Sequence, residues 1–209
     1  MSAYRTICEA SECELIIQKS RFIGRCYPVT MEAEAIAVLE KLRKEHWNAS
    51  HNCFAYRIGS RAQAARFSDD GEPSGTAGQP IMEVLARRDA TNLICVVTRY
   101  FGGILLGAGG LVRAYSSSCA RALDAAGLRE IIPCVQLRLA VPYPLWEQVK
   151  RWLTHMGETE SVSFTQAVSC EVWVKKETLP AFAEELAAHF GIRVTVETVE
   201  ESERPFPIE

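Results

Sequence analysis

The chain has no apolar run near the ~18 residues that a membrane-crossing helix needs. Its opening residues, "MSAYRTICEASECEL", lack the basic and apolar regions of an export signal, so a cytoplasmic protein is the expectation. It also lacks any Cys-x-x-Cys pair, and the closest cysteines, Cys8 and Cys13, have no matching second pair; a structural zinc is therefore disfavoured. Eight cysteines without an export signal read as reduced thiols rather than a disulfide framework. Those in "LICVV" and "SSSCARAL" read as small buried hydrophobes. A strong basic excess is missing as well. Residues 1–134 carry 16 basic against 14 acidic side chains, residues 135–209 carry 7 against 12, and the net charge is −3. A dedicated nucleic-acid binder is excluded on that balance, and any such contact must come from a local patch. No internal repeat or low-complexity tract is present.

What is there suits a globular protein able to bury a core, with 209 residues, 48% hydrophobic and 23% charged. That length allows one large or two small domains. The second half is the more regular. "VQLRLAV" (135–141) alternates as a half-buried strand, and Pro144 opens a helix carrying Leu145, Val149, Trp152, Leu153 and Met156 up to Gly157. Strand-like "ESVSFTQA" and "SCEVWVKK" follow, then a helix over "TLPAFAEELAAHF" with Thr178 as N-cap and Gly191 at its end. "RVTVETV" closes the series as a strand, and "SERPFPIE" reads as a loose tail. The order β-α-β-β-α-β is the ferredoxin-like signature. The fold class expected is α+β, with domains at 1–132 and 133–209.

In the first half, "CELIIQK", "RFIGRCYPV" and "HNCFAYRIG" read as strands. A helix over roughly 31–45 lies between the last two, with Thr30 as N-cap, Glu32 and Glu34 early and Lys41, Arg43 and Lys44 late, as its dipole favours. Pro80 suits the start of a short helix over "PIMEVLARR", and "NLICVVTRY" reads as a strand covered on both faces. A last helix carries Leu111, Tyr115, Cys119 and Leu123 and stops at Gly127. His46, His155 and His189 lie near helix ends, where a cation pairs well with the dipole. His51 and Cys53 share one face of a strand, which allows a Cys–His pair but more commonly marks a strand start and a core cysteine.

Two stretches stand apart. "FSDDGEPSGTAGQP" (67–80) gathers Asp69, Asp70, Glu72, Ser74 and Thr76 among turn residues. Its spacing is neither that of an EF-hand nor that of a G-x-S-x-G nucleophile elbow, so no metal and no nucleophile are assigned. "RYFGGILLGAGGLVRAY" (99–115) is glycine-rich but lacks the third glycine of a dinucleotide fingerprint and the Gly-Lys-Ser/Thr of a phosphate loop; no cofactor is expected. Glycines before a helix nevertheless expose backbone N–H groups to an anion. Arg113, read as lying in the first helical turn, opposes the dipole and calls for an anionic partner; Ser117 and Arg121 share its side. Either the acidic loop neutralises Arg99 and Arg113, or they are left for a ligand. The candidate binding set is Arg66, Asp69, Asp70, Glu72, Ser74, Thr76, Arg99, Gly102, Gly103, Gly109, Gly110 and Arg113.

These two stretches, with "KSRFIG" and "HNCFAYRIG", resemble the IMPACT family in its bacterial two-domain YigZ-type form, closely over about residues 15–126 and more loosely beyond. The resemblance implies an N-terminal domain of the ribosomal S5 domain 2-like class. It also implies a ferredoxin-like C-terminal domain, in an arrangement similar to the last domains of elongation factor G. It brings no catalytic residues. Eukaryotic relatives regulate translation through regions that include an extra domain this chain lacks, so their partner is not carried over.

The function expected is that of a non-catalytic, translation-associated regulator that binds RNA or a ribosome-associated protein through the N-terminal loops, with no membrane partner and no DNA specificity. The alternative is an enzyme acting on a small phosphorylated or acidic substrate, with the glycine segment holding the anion and Asp69, Asp70 or Glu72 as general base. A third reading has the loops closing on each other through Arg–carboxylate pairs.

Overall fold

The computed structural model describes residues 3–208, which divide by their internal contacts into one unit of residues 3–130 with 206–208 and another of residues 131–205. In the first unit lie β1 (Tyr4–Ile7), β2 (Ser11–Ile17), β3 (Ser20–Pro28), α1 (Glu32–Glu45), β4 (His51–Ile58), β5 (Ala64–Ser68), α2 (Gly78–Arg87), β6 (Leu93–Tyr100) and α3 (Gly107–Ala126). Its sheet has the order β2-β3-β6-β4-β5, antiparallel at every pairing. The apolar run of β6 sits at the centre, and period two splits it between two cores. Leu93, Cys95 and Val97 meet α2 and α3, while Ile94 and Val96 meet α1. Both faces are thus covered, which is why this run does not alternate with polar residues.

The same alternation carries Arg99 and His51 onto the α2/α3 face. Phe22, Arg99 and His51 are directly opposed across β3, β6 and β4, forming one row at the end of the sheet. On β3, Gly24 lets α3 come close: a Cβ there would lie 2.5 Å from the Ser118 carbonyl oxygen.

The second unit is built from β7 (Leu128–Val141), a 3-10 turn (Tyr143–Leu145), α4 (Trp146–Met156), β8 (Glu158–Phe164), β9 (Val168–Lys175), α5 (Leu179–Phe190) and β10 (Thr195–Pro207). Within it β7 pairs with β10 and, antiparallel, with β9, and β9 pairs antiparallel with β8. Trp146, Val149 and Leu153 of α4 and Phe182, Leu186 and Phe190 of α5 share a core with Val135, Leu137 and Leu139 of β7 and Val168, Cys170 and Val172 of β9. The β-α-β-β-α-β order expected from the sequence is present.

Several local expectations are corrected. Thr30 is not the N-cap of α1. The Glu34 carboxylate turns back to accept from the Thr30 N–H at 2.6 Å and its hydroxyl at 3.2 Å, and the helix starts one residue later, after Met31. The helix expected from Pro144 begins as the 3-10 turn. The stretch read as a tail is strand through Pro207, and its last residue, Glu209, lies outside the described residues. His46 is held neutral rather than cationic, because burial pushes its pKa below the usual histidine value. No helix among the described residues is long and apolar enough to cross a membrane.

Candidate binding site at the paired loops

The acidic stretch is shorter as a loop than it reads in the sequence. Phe67 and Ser68 belong to β5 and Gly78 to Pro80 to α2, which leaves residues 69–77 as the connection. Asp69 organises it. Its carboxylate accepts the backbone N–H of Gly75 at 2.9 Å, Ala77 at 3.0 Å and Gly78 at 2.8 Å, so it ties the loop together and satisfies donors at the start of α2. Asp70 is held by Arg43 at 2.6 Å and accepts the Asn52 N–H at 2.7 Å. Thr76 donates to the Pro73 carbonyl at 2.6 Å, and Ser74 is exposed.

Glu72 points the other way, under the loop. It accepts from Arg99 at 2.6 Å and from the Tyr115 hydroxyl at 2.7 Å, and His51 Nε2 lies 3.9 Å from the same oxygen. The Glu72 and Arg99 side chains are 3% and 6% exposed. The Arg99 guanidinium carbon sits 5.3 Å from the Phe22 ring centroid and 5.4 Å from that of Phe101, an aromatic sandwich that suits a weakly hydrated cation. Its Nε is buried without a hydrogen-bond partner among the described residues. Burial pushes the Tyr115 phenol well above its ordinary pKa, which keeps its proton available to Glu72.

His51 Nδ1 is 2.9 Å from the Asp70 carbonyl oxygen, and the Cys53 thiol donates to the Asp69 carbonyl at 2.9 Å. The two therefore share a face, but as anchors for the loop. Cys53 is sealed from solvent, and burial raises its pKa far above that of a reactive thiol, so it is no thiolate nucleophile.

Above this network opens a cavity of about 490 Å³, lined by Ser50, His51, Gly71, Glu72, Pro73 and Arg99 on one side and by Phe101, Leu105, Leu106, Gly107, Ala108 and Leu111 on the other. The size is that of a ligand or anchor pocket, about 300–1,000 Å³. Its rim is unusually apolar for a surface: Leu105 is 84% exposed and Phe101 48%. Trp47, 81% exposed, lies in the turn that Ser50 fastens to the end of β6.

The expected residues thus separate. Glu72 and Arg99 line the cavity, beside Gly71 and Gly107. Asp69, Asp70 and Thr76 shape the loop from within. Gly102 is needed for close approach, since a Cβ there would come within 2.4 Å of the Lys19–Ser20 backbone, while Gly103 has φ +83° and open space around it. Gly109 and Gly110 lie in the first turn of α3. Arg113 is seven residues into that helix, so the dipole conflict read from the sequence lapses; it is exposed and forms no ion pair among the described residues. Arg66 is opposite Tyr56 on the edge strand and lines a groove on the α1 face, away from Arg99. Phe101, Leu105 and Tyr115 were missed as site residues. Their apolar character reads as core; the connection from β6 to α3 carries Phe101 and Leu105 to the rim, and Tyr115, fully buried on α3, meets Glu72 inside.

Residues 18–123 match the family model described as the Impact N-terminal domain. The chain is 40% identical over 185 residues to the IMPACT family member YvyE of Bacillus subtilis (strain 168), covering 88% of this chain and 85% of that protein. It is 40% identical over 129 residues to the IMPACT family member YigZ of Escherichia coli (strain K12), covering 61% and 63%. A solved structure described as "Crystal structure of an hypothetical protein" is similar over 96% of this chain and 98% of its own, with 30% identity and a TM-score of 0.61.

Proposed function

We propose, from the premise that this chain belongs to the IMPACT family as a YigZ-type member, that it is a non-catalytic, translation-associated binding protein whose N-terminal unit docks a ribosome-associated protein at the loop end. The observation that carries this reading is the pairing of an apolar-rimmed pocket with a floor whose charge is already balanced. Arg99 is neutralised by Glu72, so a phosphate or carboxylate entering there would face the Glu72 carboxylate without an unpaired cation to receive it. Exposed Leu105, Phe101 and Trp47 instead suit an apolar anchor from a protein partner, since aromatic residues are enriched where such interfaces carry their energy.

The enzyme reading is less well supported. Of its three candidate bases, Asp69 is engaged by backbone amides and Asp70 by Arg43 and Asn52. The pairing of β7 with β10 and β9, and of β9 with β8, under two helices favours a ferredoxin-like second domain. By the same family resemblance, the first is assigned to the S5 domain 2-like class.

Co-sedimentation of the full chain with purified ribosomes tests the proposal. Association should persist at about 200 mM salt, where phosphate-driven contacts weaken steeply, and Leu105→Asp should reduce it more than tenfold. No association, or association that Leu105→Asp leaves intact, rejects docking at the loop end.

A further inference from the structure

Arg113, Ser117 and Arg121 take no part in the loop-end pocket. They lie at one-turn spacing on the solvent side of α3, where i and i+4 side chains are neighbours. Beside them, between α2 and α3, runs a groove of about 330 Å³ lined by Val84, Arg87, Arg88, Ser116, Ser117 and Ala120.

The donors of this groove are largely unengaged. Ser118, buried, returns its hydroxyl to the Ala114 carbonyl at 2.8 Å, as helical serines commonly do. The hydroxyls of Ser116 and Ser117 make no such bond among the described residues. Among the described residues Arg87 engages only Nε, with the Glu83 carbonyl at 3.3 Å, which leaves its terminal nitrogens without a partner there. Arg88 pairs with Asp124 at 2.9 Å, both exposed, so salt and solvent weaken that pair. Neither Arg113 nor Arg121 has an ion pair among the described residues. The remaining acid on α2 is Glu83, which accepts from Gln79 at 3.2 Å. Arg87 and Arg88 border the groove beside small residues of α3, and Arg113 and Arg121 flank Ser117 one turn away on either side along that helix.

We infer that this α2–α3 face binds the phosphodiester backbone of a nucleic-acid chain. Hydroxyls and guanidinium forks are the usual phosphate contacts, and they carry no base readout. Length distinguishes a chain from a lone anion. Arg113 and Arg121 are eight residues apart, about 12 Å along the helix axis, so the row offers donors to successive phosphates of a strand over a longer span than one anion occupies. One phosphate sits at Arg87, Ser116 and Ser117, and its neighbours along the strand meet Arg113 and Arg121. A net acidic protein can do this because the patch, rather than the total charge, sets the local field. The site is separate from the loop-end pocket and goes beyond the protein-docking reading.

Fluorescence anisotropy of the full chain with a labelled single-stranded RNA of about 20 nucleotides, titrated between about 50 and 200 mM salt, tests it. Three phosphate contacts give a log–log slope of about −2, at about −0.7 per contact on a single strand. Arg87→Ala/Arg113→Ala/Arg121→Ala should weaken binding more than tenfold and flatten that slope. Ser117→Glu, a single exposed change, should do likewise should the triple variant fold poorly. Inorganic phosphate at equal phosphate concentration should not compete, and Leu105→Asp should leave RNA affinity unchanged. Absence of binding at about 50 mM salt, or wild-type affinity in a folded triple variant and in Ser117→Glu, overturns the assignment. So does equal competition by phosphate, which would mark a small-anion subsite. Loss of RNA binding in Leu105→Asp would place the chain at the loop end and overturns it too.

Discussion

Arg99 Nη1 stands 2.6 Å from Glu72 Oε1, joining the end of the central strand to the acidic loop inside the protein. The two prominent stretches of the sequence are therefore one structure, and this arginine is internal to it. Tyr115 from α3 closes the same oxygen, so the helix, the strand and the loop share a single buried polar contact.

Truncating one partner leaves the other charge buried without a counterion. Arg99→Ala should destabilise the fold by about 3–5 kcal/mol in urea denaturation. The double variant Arg99→Ala/Glu72→Gln should lose much less than the two single losses added together, because the pair is coupled. A loss under ~1 kcal/mol for Arg99→Ala would mean that the pair is solvent-screened instead.

Asp69 holds three backbone amides with one carboxylate. Hydrogen bonds to charged groups are worth about 1.5–3 kcal/mol, so Asp69→Ala should lower stability by about 2–3 kcal/mol and loosen residues 69–77. Asp69→Asn keeps an acceptor and should fall between. Arg113→Ala, which removes an exposed side chain, should change stability by less than about 0.5 kcal/mol. Thermal melts that rank Arg113→Ala with Asp69→Ala would contradict these roles.

Much of this is legible in the sequence alone. β6 announced itself as an apolar run, and α3, α4 and α5 through helical spacing and glycine stops. β5 escaped because "AARFS" is a largely exposed edge strand with no apolar alternation. β10 was cut short because "EESERPFP" is charged and mostly exposed, and its strand character comes from pairing with β7. At the site, the sequence posed the choice between neutralised and free arginines, but the answer depends on register. Placing Phe22, Arg99 and His51 in one row sends Arg99 inward, and α3 starting at Gly107 puts Arg113 outside. Asp69 could not be assigned from residue type, because its partners are backbone groups brought near by the turn.

His46 offers a pH test. Burial lowers its pKa from 6.5, and its Nδ1 lies 2.7 Å from the Tyr100 hydroxyl. The folded state thus favours neutral imidazole while the unfolded chain takes up the proton first. The stability this group contributes is present above pH 6.5 and is lost as pH falls from there through the lower folded value. An NMR titration should give His46 a midpoint below 6.5; a midpoint at or above it contradicts this environment.

Docking at the loop end is tested most directly by hydrogen–deuterium exchange of the full chain, free and bound to purified ribosomes. Binding there should slow exchange in residues 47–51, 69–77 and 99–111, the segments that form and border the pocket. Unchanged exchange in all three, with protection confined to other segments of the bound chain, would contradict it.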